Sequence, residues 1–191
     1  MNILMFAGSL RKDSLNKRLI RVAARLLDQE MKTESFEGLK IHLHELNEFE
    51  MPVYDADIEA KAIPDSVLKL AEKIRSCQAV ILSCPEYNGG VAGPVKNMID
   101  WISRARPMPW EGKPILLMAA SPGGLGGMRG AMHTRVPLDV LHCYVYPEFF
   151  CVAAAHQAFD SSGEFKDAAQ RARLQKCLDG FIPFARQFFK T

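Results

Sequence analysis

Short apolar runs alternate along this chain with longer segments whose apolar residues recur every three or four positions. The runs at 3–7, 79–84 and 115–120 are too continuously apolar to have a solvent-facing side, which is the pattern of parallel strands covered on both faces. Residues 40–46 alternate polar and apolar positions instead, predicting a half-buried edge strand. Between the runs the period is helical. Leu15, Leu19, Val22, Ala23, Leu26 and Leu27 predict a helix over 15–31, and Val95, Met98, Ile99 and Ile102 form the buried face of another over 94–103. Pro64 suits the first turn of a further helix, while residues 47–63, without a period and containing Pro52, read as loop. A helix over 128–141 is expected to be interrupted or bent near Pro137, and a closing helix over 166–189 to kink at Pro183. The last strand, 144–152, contains Pro147, which cannot donate to a ladder and so demands an edge position or a break.

Strands alternating with helices define an α/β protein, with parallel strands joined by right-handed helical crossovers. At 191 residues, five such strands fit one domain over 1–191 and the doubly wound order 2-1-3-4-5. Ligands in sheets of that order bind beyond the carboxyl ends of the strands at the switch point. Three loops are thereby selected: 8–16, 85–93 and 121–127.

Composition narrows the classes. Apolar residues make up 48% and charged residues 24%, as in soluble globular proteins, and the apolar run at 114–120 is strand-sized, far short of the roughly 18 residues of a spanning helix. With 24 basic residues scattered among 22 acidic ones, no basic stripe follows a phosphate backbone, which argues against nucleic acid as a partner. No positive leader precedes the first strand, and five cysteines without a C-x-x-C pair suit reduced, buried thiols, so a cytoplasmic protein is expected. The histidines show no metal-ligand spacing, and no G-x-S-x-G elbow exists. His42 and His44 are expected to be exposed, and Met98 and Trp101 to serve as core or subunit contacts.

The first loop has the chemistry of an anion site. Gly8 permits a tight turn, and Ser9, Ser14 and Asn16 surround the start of the next helix, where unpaired N–H groups and the helix dipole favour an anion by about 0.3–1 kcal/mol. A charge-assisted contact from Arg11 adds about 1.5–3 kcal/mol. In isolation Ser14 would read as an N-cap and Arg11 as a solvated side chain; their place behind a buried strand favours the anion site. The loop is neither a Walker A sequence nor G-x-G-x-x-G, and one glycine with several hydroxyls suits a terminal monophosphate better than a bridging pyrophosphate. FMN has such a phosphate; NAD and FAD do not.

The second loop, Pro85-Glu86-Tyr87-Asn88-Gly89-Gly90-Val91-Ala92-Gly93, joins an aromatic ring to three glycines, so backbone can approach a flat ligand closely. The third, Ser121-Pro122-Gly123-Gly124-Leu125-Gly126-Gly127, lacks a dinucleotide fingerprint because Arg129 stands where the third glycine belongs. Arg129 is open to two readings, a contact to a nicotinamide cofactor's phosphate or a surface ion pair.

These stretches resemble the NAD(P)H-dependent FMN reductases, a flavodoxin-like group of three-layer proteins that includes quinone, azo-dye and chromate reductases. Gly8-Ser9-Leu10-Arg11 with Ser14 and Asn16 resembles the group's G-S-x-R-x-x-S-x-N stretch, and Pro85-Glu86-Tyr87-Asn88 with Lys96-Asn97 its P-E-Y-N stretch and following helix. Val95 stands where the group usually has leucine, and the fit is looser over 133–138. The resemblance implies that Ser9, Arg11, Ser14 and Asn16 hold the FMN phosphate, that Pro85, Glu86, Tyr87 and Asn88 contact the ribityl chain and ring, and that Ser121, Gly123 and Gly124 line the ring's other flank. It implies an enzyme passing hydride from NADPH or NADH through FMN to a quinone, azo compound, metal oxyanion or free flavin, with no catalytic side chain demanded, and a homodimer or homotetramer. A flavodoxin-type electron carrier is the rival; such carriers are strongly acidic, whereas this chain carries a net charge of +2.

Overall fold

The computed structural model of the chain describes residues 1–30 and 36–189. In chain order the elements are β1 (Asn2–Ala7), α1 (Leu15–Glu30), β2 (Lys40–Glu45), α2 (Ala56–Glu59), α3 (Asp65–Ser76), β3 (Ala79–Ser83), β4 (Glu86–Tyr87), β5 (Gly90–Val91), α4 (Gly93–Ile102), β6 (Pro114–Ala120), α5 (Met128–Val140), β7 (Tyr144–Val145), β8 (Phe150–Val152), α6 (Ala155–Ala158) and α7 (Ala168–Arg186). Met31, expected to end the first helix, lies outside the described residues.

The main sheet runs β2-β1-β3-β6-β7, and β8 also pairs with β6. Every pairing in it is parallel. Counting β6 as the fourth long strand and β7 with β8 as a divided fifth, this is the order 2-1-3-4-5, with the alternating-sequence strand β2 at one edge. The strands β1, β3 and β6 are central and buried, as their unbroken apolar sequences require. Successive residues of β6 face opposite layers. Leu116 and Met118 pack with α1 and α7, while Ile115, Leu117 and Ala119 pack with α3, α4 and α5. Met98 and Trp101 sit in the second layer, 1% and 0% exposed, which settles them as core.

Several boundaries differ from the expectations, each for a local reason. The last strand is cut in two at residues 146–149 by Pro147, with Tyr144 opposite Pro114 and Phe150 opposite Met118. Within the supposed loop 47–63, Glu45 and Glu48 form a capping box around a single 3-10 turn at Leu46–Glu48, and Asp55 accepts from the Asp57 N–H to start α2. Pro64 stands just before α3 rather than inside it. The helix α5 runs through Pro137 without interruption, and α7 begins at Ala168, where Asp167 caps it by accepting from the Ala169 N–H. Among the described residues, no helix is long and apolar enough to cross a membrane.

Candidate active site

The three selected loops leave the carboxyl ends of β1, β3 and β6, neighbours at the centre of the sheet. In the first, the Gly8 N–H extends the ladder by donating to the Ser83 carbonyl at 2.9 Å. A Cβ on Gly8 would come within 2.2 Å of Val95 Cγ2, so glycine is what lets α4 close against this turn. Ser9 and Ser14 are 2% and 5% exposed. The Ser9 hydroxyl accepts a long contact from the Arg11 N–H, and the Ser14 hydroxyl one from the Lys17 N–H, both at 3.4 Å. The N–H groups of Lys12, Asp13, Ser14, Leu15 and Asn16 donate to no group among the described residues. Arg11 is exposed and forms no ion pair among them. A row of unpaired donors, two buried hydroxyls and a free guanidinium at the start of a 16-residue helix fit a phosphate monoester.

Asn16, expected on the phosphate, points the other way. Its Nδ2 donates to the Ala120 carbonyl at 3.0 Å, and its Oδ1 accepts from the Ala120 N–H at 3.0 Å and the Ser83 hydroxyl at 2.9 Å. At 4% exposure this amide is a latch holding α1 to the ends of β3 and β6. Lys17, passed over by sequence reasoning, is equally buried. Its ammonium donates to Glu45 at 2.7 Å and Asn47 at 2.8 Å, and Asn47 in turn donates to the Leu10 carbonyl at 3.0 Å. The first loop is thus fastened to the end of β2.

The second loop is a hairpin rather than an irregular turn. Tyr87 opposes Gly90, and the two residues between them, Asn88 and Gly89, have φ of +52° and +74°, the left-handed values a type I′ turn requires. Pro85 precedes it, and Tyr87 presents an exposed ring. Glu86 holds the hairpin to α5. It accepts from Arg129 at 2.8 and 3.1 Å and from the Gly130 N–H at 3.1 Å. Partial burial pushes the Glu86 carboxyl up, but these donors outweigh it and hold the group below the usual carboxylate range. Arg129 therefore makes the ion pair of its two readings. Gly130 allows the approach, since a Cβ there would lie 2.8 Å from Glu86 Cα.

In the third loop, the Ser121 N–H donates to Val152 at 3.1 Å and the Ser121 hydroxyl accepts from the Gly123 N–H at 3.2 Å. Gly123 and Gly124 are exposed, and a Cβ on Gly124 would meet nothing of the chain within 4 Å. Burial disfavours the thiolate at every cysteine, pushing Cys84, Cys143 and Cys177 up to about 12, the half-buried Cys151 to about 11, and Cys77 in the same direction. His42 is exposed, whereas His44 is half-buried against Glu48. One cavity has a volume of about 860 Å³. It lies beside the first loop, between Leu10, the 46–53 segment and the start of α4.

A parallel sheet of this order, with two buried hydroxyls and a row of unpaired N–H groups behind its first strand and glycine-bearing loops behind the next two, has the flavodoxin-like architecture. The chain belongs to the NADPH-dependent FMN reductase family, which it matches over residues 1–157. An NAD(P)H-dependent FMN reductase of Pseudomonas aeruginosa is 33% identical over 190 residues, covering 98% of this chain and 96% of that protein. A quinone reductase of Escherichia coli is 32% identical over 98% of this chain and 96% of its own length. The structure of FerB, a flavoenzyme NAD(P)H:(acceptor) oxidoreductase from Paracoccus denitrificans, superposes with a TM-score of 0.81 at 31% identity, covering 98% of both chains. The protein is therefore an oxidoreductase that works with FMN and NAD(P)H.

Proposed function

We propose that this single-domain, cytoplasmic protein oxidises NAD(P)H and reduces a quinone, with the FMN phosphate on the first loop. The observation carrying the assignment is the row of unpaired N–H groups at Lys12 to Asn16, flanked by buried Ser9 and Ser14 and by Arg11. FMN, when bound, accepts hydride from NAD(P)H and passes electrons onward. The chain's own residues bind and orient it. Ser9, Ser14 and Arg11 hold the phosphate, and Asn16 sets the angle of α1 from below. Pro85, Tyr87 and Asn88 flank the ribityl chain and ring, with Glu86 fixing their hairpin, while Ser121, Gly123 and Gly124 form the other flank, where Gly124 leaves the approach clear. Backbone N–H groups of these loops favour charge on the ring's pyrimidine edge.

The quinone assignment draws support from the Escherichia coli relative. Self-association into a homodimer or homotetramer is supported by α5, where Met128, Met132, Val136 and Val140 follow one another at every fourth position and are 43–71% exposed. Purified protein mixed with NADPH and a naphthoquinone tests the enzyme. Yellow protein that oxidises NADPH is expected; bound FMN that NADPH fails to reduce would leave an electron carrier, and colourless, inactive protein given excess FMN would remove both readings.

A further inference from the structure

We infer that the cleft between the exposed side of α1 and the turn at 160–163 is a second anion site, one that takes the phosphate of a phosphate monoester. Arg18, Arg21 and Arg25 line one wall and residues 160–163 the other, around a volume of about 260 Å³. Sites that enclose a whole small molecule run from roughly 300 to 1,000 Å³, so a cleft of this size receives the end of a ligand and leaves the rest outside.

Positions 18, 21 and 25 share one side of α1, at the three- and four-residue spacing where like charges repel. The chain answers that repulsion for two of them. Arg21 Nη2 donates to Glu45 at 2.5 Å, and Arg25 pairs with Glu164 while its Nη2 donates to the Gly163 carbonyl at 2.8 Å. Glu45 is shared, because it also accepts from Lys17. Arg18 is exposed, and its guanidinium takes no partner among the described residues. A third like charge kept without a counter-ion runs against the stability of the helix, and such a local conflict is expected where a ligand supplies the missing charge.

The opposite wall is preformed. Phe159 and Phe165 bridge as antiparallel neighbours, their rings stacked 5.1 Å apart and buried with α1 and α7. Asp160 Oδ1 accepts from the Ser162 hydroxyl at 2.6 Å, the Ser162 N–H at 2.8 Å and the Glu164 N–H at 3.0 Å. These donors hold its carboxyl below the usual carboxylate range and engage its charge within the turn, and it pairs with none of the three arginines. Ser161 is exposed, and neither its N–H nor its hydroxyl finds a partner among the described residues. Guanidinium forks on one wall and free N–H and hydroxyl donors on the other complement a tetrahedral oxyanion with several acceptor oxygens.

The helix α1 then serves anions at two places. Its N-terminus is assigned to the FMN phosphate, and Arg18 follows four residues after Ser14, about 6 Å farther along the axis. Two sources present the second phosphate: the 2′-phosphate of NADPH, which hangs at the end of the dinucleotide remote from the nicotinamide, or a free phosphorylated molecule. The cleft stands on its own geometry; its assignment to NADPH rests on the oxidoreductase reading above.

The test titrates inorganic phosphate and adenosine 2′-monophosphate into the holoenzyme, where FMN fills the first loop, by calorimetry against chloride at equal ionic strength. One saturable event per chain is expected for each probe, weakened about tenfold or more in Arg18→Ala and abolished in Arg18→Glu. Arg18→Lys, which keeps the charge and loses the fork, is expected to fall between wild type and Arg18→Ala. Heat that matches chloride, or that persists in both Arg18→Ala and Arg18→Glu, overturns the proposal. So does heat that accompanies release of FMN and is lost in Arg11→Ala instead. The ratio of KM for NADPH to KM for NADH assigns the source: a rise in Arg18→Ala points to the 2′-phosphate, and an unchanged ratio with phosphate binding lost points to a free ligand. If the protein oxidises neither nucleotide, the function fails separately and the titration still decides the cleft. If it retains no FMN, the same titration in flavin-free Arg11→Ala decides it with the first loop disabled.

Discussion

Replacing Asn16 by alanine separates a residue that holds the protein together from one that holds its ligand. The side chain takes part in three hydrogen bonds, two with the Ala120 peptide groups and one with Ser83, and it is 4% exposed. Each such bond is worth about 1 kcal/mol net, and leaving a buried donor or acceptor unpaired costs about 1–3 kcal/mol, so Asn16→Ala is expected to destabilise the chain by about 3–5 kcal/mol. For a chain of this size about 2–4 °C accompanies each kcal/mol, giving a drop in melting temperature of about 6–20 °C. The assay is urea unfolding of flavin-free protein, wild type against Asn16→Ala, with the slope m checked for constancy. A loss of stability below about 1 kcal/mol together with much weaker FMN binding would refute the latch and return Asn16 to the phosphate.

Arg11→Ala is expected to weaken FMN binding by about 10- to 150-fold, the loss of a contact worth about 1.5–3 kcal/mol, with the stability of flavin-free protein unchanged; fluorescence titration with FMN reads the first and urea unfolding the second. Glu86 has its carboxyl held below the unfolded value of 4.5, so its contribution to stability is present above that pH and is lost as pH falls through the lower folded value. The stability gap between wild type and Glu86→Gln should therefore narrow from pH 6 toward pH 3, and a gap that widens on acidification would contradict the Arg129 and Gly130 contacts. Gly130→Ala drives a methyl into Glu86 and is expected to cost about 1–3 kcal/mol by overpacking, read by thermal unfolding.

What the sequence makes legible here follows from range. The central strands are plain because burial on both faces removes any polar period at 3–7, 79–84 and 115–120. The hairpin in the second loop was also within reach: Asn88-Gly89 between Tyr87 and Gly90 is a strong type I′ signal, obscured by reading its glycines as room for a ligand. The capping oxygen of Asp55 marks α2 in the same local way. Glu86 and Arg129 are 43 positions apart, and nothing in either neighbourhood announces the pair. Asn16 shows the limit most sharply. A polar residue beside an anion loop can face the ligand or the strands below, and only the placement of Ala120, 104 positions away, decides between them.

The fastening of the first loop to β2 through Lys17, Glu45 and Asn47 has a thermodynamic consequence. An edge strand leaves half its ladder groups unpaired and is where a sheet frays and where chains aggregate. A ligand that binds the closed loop stabilises everything that must open with it, by RT ln(1 + [L]/Kd). Amide hydrogen exchange at the carboxyl end of β2 should slow as FMN is added, because Lys17, Glu45 and Asn47 tie that end to the first loop. Cofactor supply then sets how long the sheet's margin stays closed, and shelf life in solution becomes a measure of flavin occupancy.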